Sequence, residues 1–278
     1  MRMLYATALM ISGVVATPAL AQSAEEEFQG FYVGGTIGMT MESPDSGETI
    51  LFDRDLNGTF GDTITTSTGA NAFSTGFCAG SVNGPNRPTN GCSSDRQTVE
   101  FSARMGFDQQ FGNVVAGFVL EGGRTEARSD VTAFSTTPAS YTLSREIDFM
   151  IDLRARAGFT VTPMTLVYGT AGGSYARLDQ DYFSTNTANS AVIRGGRDTH
   201  GFVVGGGVEQ KLGRTVSLGL EYLYRKFDDE EFRVRLGRGT AAATSPFVLG
   251  NSQGTDFRRS GDSFDLHSVR AVLHFRFR

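Results

Sequence analysis

The chain of 278 residues contains no tryptophan, two cysteines and three histidines, and only Lys211 and Lys226 among its 25 basic residues are lysines. Two cysteines without a nearby histidine exclude a zinc site of the Cys/His kind. The net charge of −5 and a pI near 5.3 argue against a nucleic-acid partner. None of His200, His267 and His274 stands in a recognisable triad spacing, and there is no G-x-S-x-G motif. No catalytic role is expected. Beyond residue 21 no segment approaches the run of about 20 apolar residues that a membrane-spanning helix needs.

What is present begins with an export signal. Arg2 is a minimal basic segment, Met3 to Ala16 an apolar core too short for an anchor, and Pro18 with Ala19-Leu20-Ala21 a cleavage box. Residues 1–21 are read as a signal peptide and 22–278 as one domain. A membrane protein without a spanning helix must be a closed β-barrel, since lipid offers no partner to unpaired backbone groups. The mean hydropathy of −0.18 is compatible with this, because barrel strands expose apolar side chains only at alternate positions. With no tryptophan, any interfacial girdle must come from the 22 phenylalanines and 8 tyrosines.

Alternation is strongest at the C-terminus. Val269, Ala271, Leu273, Phe275 and Phe277 fall on one parity, and Arg270, Val272, His274 and Arg276 on the other. In a strand those parities point to opposite faces. Six further runs alternate in the same way: Phe31 to Met39, Phe101 to Phe107, Val114 to Leu120, Ile151 to Phe159, Phe202 to Val208 and Val216 to Tyr224. An eighth, near 164–180, is ambiguous in parity because Leu166/Tyr168 and Val167/Ala171/Tyr175 are both apolar. The fold expected is all-β: an eight-stranded antiparallel up-and-down transmembrane β-barrel.

The connections are uneven. Phe111-Gly112-Asn113, Thr162-Pro163 and Gly213-Arg214-Thr215 are tight turns. Longer polar stretches, at roughly 43–97, 129–143, 181–198 and 236–262, join the other strands. Short turns on one rim and long loops on the other characterise outer-membrane barrels, with the turns periplasmic and the loops extracellular. An even strand count then places both termini in the periplasm.

Gly30-Phe31-Tyr32-Val33-Gly34-Gly35, Gly205-Gly206-Gly207-Val208-Glu209, Leu220-Glu221-Tyr222-Leu223-Tyr224 and the terminal Val269 to Phe277 resemble the eight-stranded outer-membrane β-barrels of alphaproteobacteria. These are small surface-antigen or porin-like barrels related to the OmpA transmembrane domain. The resemblance covers about 30–41 and 99–278 without the loops. The chain departs from it in lacking tryptophan, in its long first loop and in ending on Arg278. The resemblance implies a location in the outer membrane of a Gram-negative cell, contact with lipid and lipopolysaccharide, insertion by the barrel-assembly machinery, and a monomer. No cell-wall-binding domain is expected after the barrel.

If the apolar parity faces lipid, the lumen receives Glu100, Arg104, Asp108, Glu121, Asp152, Arg154, Arg156, Glu209, Glu221, Arg225, Arg270, His274 and Arg276. Both signs are in near balance, as buried charge requires. An eight-stranded interior is filled by side chains, so a packed lumen and a structural, surface-interaction role are expected. A narrow porin-like channel, or a surface binder of a small ligand such as haemin, stays open as the alternative. The glycines of Gly172-Gly173 read as packing space beneath aromatic neighbours.

The first loop holds Asp53-Arg54-Asp55-Leu56-Asn57-Gly58-Thr59-Phe60-Gly61-Asp62. D-x-D-x-N-G is the first half of a calcium loop, with Asp53, Asp55, Asn57, the Thr59 carbonyl and Asp62 as candidate ligands. Ile64 occupies the twelfth position, where a bidentate Glu would be expected. No other cofactor is implied. Cys78 and Cys92, in the same loop of an exported chain, are expected to form a disulfide. Arg233, Arg235, Arg238, Arg258 and Arg259 cluster near the last loop, either facing lipopolysaccharide phosphates or paired with Asp228, Asp229, Glu230 and Glu231.

Overall fold

A computed structural model describes residues 27–42, 47–84, 91–93, 97–229 and 232–277. Residues 1–21, read from the sequence as a signal peptide, and Glu230, Glu231 and Arg278 lie outside the described residues. Strand β1 (Gly30–Glu42) opens the barrel, and the first loop contributes β2 (Ile50–Asp53), β3 (Phe77–Ala79), β4 (Ser81–Val82) and β5 (Cys92–Ser93). The hairpin β6 (Thr98–Phe111) and β7 (Val114–Thr125) precedes β8 (Arg128–Ser135), β9 (Ala139–Thr162) and β10 (Thr165–Ser184). Then come β11 (Ser190–Arg194), β12 (Asp198–Lys211), β13 (Val216–Asp228), β14 (Arg233–Gly237), β15 (Thr255–Arg259) and the closing β16 (Ser263–Phe277).

Eight of these strands form a ring in the order β1-β6-β7-β9-β10-β12-β13-β16, every neighbour antiparallel, and β16 returns to β1. The closing register puts Phe277 opposite Phe31 and Arg270 opposite Gly38. No backbone edge is left for lipid to desolvate. The outward rows are those the alternation marks: Phe31 is 64%, Ile37 62% and Leu153 60% exposed, whereas Arg225 and Arg145 are wholly buried. In β10 the ambiguous parity resolves with Leu166 and Tyr168 inward and Val167 and Ala171 outward.

Both ends of the outward surface are aromatic, as expected of a girdle built without tryptophan. At the turn rim Phe31 packs on Phe107, which neighbours Phe118, with Phe277 opposite Phe31 in the register. At the loop rim Phe149, Tyr175 and His200 form one chain of ring contacts, and Phe202, Tyr224, His267 and Tyr222 another. Gly112, with φ of +60°, makes the tight β6–β7 turn where a side chain would be strained.

The loops are more ordered than their polar composition suggests. The stretch at 129–143 is not a loop but the hairpin of β8 with the first third of β9. That third lies beyond a register shift, where Arg177 pairs with Phe149 but Leu178 with Ile147, so Asp148 is skipped. Such a bulge bends a strand and increases its twist. Past it β9 is buried on both faces, because the hairpin continues into a second structure that we term the cap. There β11, β14, β15 and β2 form a separate four-stranded sheet, and β3 pairs with β8. Phe52, Phe73, Tyr141, Leu143, Val234, Phe247 and Phe257 meet in an apolar core, and Tyr182 from the 181–198 stretch packs against it. Phe73 is central, its ring 4.6 Å from Phe52, 5.4 Å from Tyr141 and 5.9 Å from Phe257. Burying a ring of this kind stabilises by about 1.5–3 kcal/mol.

Candidate functional site

Ten charged residues singled out in the sequence, Glu100, Arg104, Glu121, Asp152, Arg154, Arg156, Glu209, Glu221, Arg225 and Arg270, are all buried inside the barrel. They form two layers. In the layer nearer the cap, Arg104, Arg154, Arg225 and Arg270 meet Glu100, Glu121, Asp152 and Glu221, four guanidiniums against four carboxylates. Two carboxylates are shared acceptors: Glu221 takes Arg104 at 2.8 Å, Arg270 at 2.5 Å, Arg154 at 3.4 Å and the Tyr168 hydroxyl at 2.9 Å, and Glu121 meets the same three arginines. Arg225 bridges Asp152 at 2.9 Å and Glu100 at 3.1 Å. Thr40 and Ser268 each donate a hydroxyl to Glu100 at 2.6 Å.

The layer nearer the turns pairs Arg156 and Arg276 with Glu209 and Asp108. Arg156 reaches Glu209 at 2.5 Å, and Arg276 reaches Asp108 at 2.8 Å. His274 lies 3.3 Å from Glu209, and its ring packs on Tyr32. The Arg156 guanidinium stacks 4.3 Å from the Tyr168 centroid, and Arg276 is 4.8 Å from that of Tyr32. Gly106 admits the Tyr32 ring, since a β-carbon there would come within 2.4 Å of it. Gly207 does the same for Tyr168. At Gly172 the atoms nearest a β-carbon would be backbone of Leu153 and Arg154, and at Gly173 nothing lies within 4 Å, so neither opens directly onto a ring.

The charged layers lie between apolar ones. Phe28, Val115, Leu166 and Tyr168 cluster at the turn rim, where Lys211 holds Glu27 at 2.8 Å. Ile147, Met150, Leu178, Phe227, Phe264 and Leu266 form a neck under the cap. Above the neck Arg145 pairs with Asp229 at 2.9 Å and Glu42 at 3.5 Å, and Arg259 pairs with Glu48 while donating to the Ser129 carbonyl at 2.9 Å. Burial and the nearby Arg145 cation pull the Arg259 pKa below the usual arginine value, against the opposing pull of Glu48. No sequence period announces these neck residues; they belong to four separate segments.

In the first loop the carboxylate oxygens of Asp53, Asp55 and Asp62 lie within 4.8 Å of one another. Asp53 accepts the backbone N–H of Asn57 at 3.1 Å and of Gly58 at 2.8 Å, and Asp62 accepts that of Arg54 at 2.8 Å. The Asn57 side-chain oxygen accepts the Thr59 N–H at 2.7 Å, so its orientation is fixed by that bond. Leu56 has a φ of +63°, which folds the loop back on itself. Each carboxylate has lone pairs beyond those bonds, so the donor set suits a hard cation. Cys78 and Cys92 are joined by a disulfide, Cα to Cα 6.2 Å, which ties β3 to β5.

The arginine cluster of the last loop divides. Arg235 makes a two-pronged contact with Asp256 at 2.6 and 2.7 Å, and that hydrogen bonding raises its pKa. Arg259 is buried above the neck and not at the rim, its guanidinium held by Glu48 and the Ser129 carbonyl. Arg238 donates to the Ala241 carbonyl. Arg233 and Arg258 stack over one ring, Phe60, at 5.3 and 4.6 Å. His200 and His267 lie in the aromatic rim and His274 in the lumen; among the described residues none hydrogen-bonds a serine.

A closed eight-stranded ring, apolar outside and ionic inside, defines a transmembrane β-barrel of the outer-membrane kind. The outer membrane protein β-barrel domain family matches residues 7–277, and the chain belongs to that family. It is similar to the 31 kDa outer-membrane immunogenic protein of Brucella melitensis biotype 1, with 28% identity over 125 residues. That match covers 44% of this chain and half the length of the relative. Among solved structures it resembles OprG from Pseudomonas aeruginosa at 13% identity, covering 92% of this chain and all of that one, with a TM-score of 0.49. It also resembles the outer membrane protease OmpT from Escherichia coli at 10% identity, covering 89% and 97% of the two chains, with a TM-score of 0.43. The chain is thus an outer-membrane β-barrel protein related to a surface antigen.

Proposed function

We propose that this protein is a non-conducting outer-membrane scaffold that holds a folded cap above the bilayer, where the cap meets the surroundings of the cell. The observation that carries this reading is the four-against-four ion layer, in which buried Arg225 reaches Glu100 and Asp152, and Arg270 reaches Glu121, on strands that are not its neighbours in the ring. Charge-assisted hydrogen bonds on every carboxylate of that layer favour an interior filled by side chains over a path for ions. In this reading the short turns and both termini face the periplasm, and the cap faces outward. The outward rows meet lipid and lipopolysaccharide, the C-terminal strand meets the assembly machinery, and the barrel works as a monomer without nucleic acid. Arg233 and Arg258 are the members of the arginine cluster left to face lipopolysaccharide phosphates.

Planar-bilayer recording of the full chain tests the scaffold. The expected trace stays at baseline, and discrete single-channel steps from the unaltered protein would overturn it.

Calcium is the second part of the proposal. Asp53, Asp55 and Asp62, with the Asn57 side chain and the Thr59 carbonyl, would hold Ca²⁺ at the base of the first loop and stiffen it beside the disulfide. Three carboxylates without the twelfth-position glutamate suit the weak range of extracellular sites, roughly 10⁻⁴ to 10⁻³ M. Calorimetric titration should give a saturable heat that Asp55→Ala abolishes. No heat at millimolar calcium would end the assignment.

A further inference from the structure

Two clefts in the cap region differ in chemistry. The larger, about 950 Å³, flanks the barrel wall beside Val99 and Phe101, and is strongly charged, with Arg124, Arg128, Glu146 and Asp179 among its lining. The smaller, about 450 Å³, opens where the ends of four loops converge: the β8–β9 turn, the β10–β11 turn, the 3-10 turn at Pro246–Val248 and part of the first loop. Its wall contains no charged residue in a chain that is 20% charged. Seven serine or threonine hydroxyls and two carboxamides line it, over Tyr141 and Phe247, whose rings meet edge to face at 5.5 Å.

We propose that this cleft is a binding site for a neutral saccharide unit. The volume falls within the range of small-ligand sites. A charged ligand would find no counter-ion there, and an apolar one would strip water from the exposed threonine hydroxyls without replacing their hydrogen bonds. A neutral polyol matches the uncharged polar wall. The polar groups are also held in place before any ligand arrives, which lowers the cost of ordering them on binding. Asn186 donates to the Tyr141 hydroxyl at 3.0 Å and to the Asn189 side-chain oxygen at 2.9 Å, while its own oxygen accepts the Ala188 N–H at 3.0 Å. Asn189 donates in turn to the Gly237 carbonyl at 2.8 Å and to Ser245 at 3.2 Å. Thr136 and Thr187 stand exposed at the mouth. The site does not depend on whether the barrel conducts, so the bilayer recording and this assignment fail separately.

The test is saturation-transfer NMR on the full chain in a sugar-free detergent. The probes are lactose, maltose and N,N′-diacetylchitobiose, with a sulfated disaccharide for comparison. At least one neutral disaccharide should give a saturable signal in the millimolar range, and the sulfated one none. Thr136→Arg and Thr187→Arg, which crowd the mouth without touching the asparagine network, should each weaken binding about tenfold or more at an unchanged unfolding temperature. Arg124→Ala, in the charged cleft, should leave binding as it is. Silence from all three neutral sugars, equal binding of the sulfated one, or a signal surviving both mouth variants would overturn the proposal.

Discussion

Glu100, Asp152 and Arg225 meet in the middle of the barrel; Phe52, Phe73, Tyr141 and Phe257 meet in the middle of the cap. Both are interiors of β-structure, and the side chains of both are buried. They differ because their surroundings differ. The barrel wall must offer its apolar side chains to lipid, so each strand's other face is left to polar groups, which then pair among themselves. The cap stands in water, so its sheets turn their apolar faces inward in the ordinary way. Between them the neck uses both chemistries, with Phe264 and Leu266 on one side of Arg145 and with Arg145 stacked 4.6 Å over Phe264. A single chain, and in β9 a single strand, changes its rule of burial on crossing the bulge at Asp148.

The sharpest way to break this comparison is to give the barrel the interior of the cap. Glu221→Leu removes one of the two carboxylates shared by Arg104, Arg154 and Arg270, and the acceptor of the Tyr168 hydroxyl. Deleting one side of a buried ion network costs about 3–5 kcal/mol, because the remaining charges lose their partner. The barrel's thermal unfolding midpoint should fall sharply while bilayer current stays at baseline. A large new single-channel current would show that this carboxylate blocks a pore and is no structural tie.

The matching change in the cap is Phe73→Ala. The local cost is similar, about 3–5 kcal/mol for a large ring lost from a packed core, but it falls on the cap alone. Limited proteolysis should cut within 47–84 and 232–259 while the barrel keeps its resistance to heat. Simultaneous loss of both would mean that cap and barrel fold as one unit. Cys78→Ser with Cys92→Ser comes next. The two cysteines are 14 residues apart, a loop whose closure is worth about 3 kcal/mol. Early cleavage confined to the first loop is expected, with the aromatic core still protected.

The same contrast explains what could be read from the sequence. In the barrel the signal is local: Val269 to Phe277 announces its two faces within nine residues, and the ladder copies that rule around the ring. Only β10 hid its parity, because Leu166 and Tyr168 face inward as part of the apolar cluster at the turn rim. The charges of the lumen were legible as a row, but which arginine meets which carboxylate depends on the stagger of non-adjacent strands. The cap was not legible. Phe52, Phe73, Tyr141, Phe247 and Phe257 come from three separate loops, each too poor in apolar residues to show a period, and they form a core only when brought together. Arg259 was misplaced for the same reason, since its partner Glu48 is 211 residues away.

The smallest expected effect separates the two interiors by pH. Tyr141 and Tyr182 are in the cap, and burial raises both phenols above the ordinary tyrosine value of 10. The folded cap therefore favours the protonated phenol. The stability this contributes is fully present below pH 10 and is lost as the pH rises from there through the folded values, where the unfolded chain releases protons that the folded one still holds. Near pH 11, proteolysis of the cap should quicken while the barrel's heat resistance holds, because its interior is joined mainly by arginine, which stays charged there. Tyr141→Phe should move the onset of cap cleavage to higher pH, since one ionising phenol is gone and the ring contacts with Phe73 and Phe247 remain. Cap and barrel failing together at one pH would mean that the neck couples them too tightly for either interior to be titrated alone.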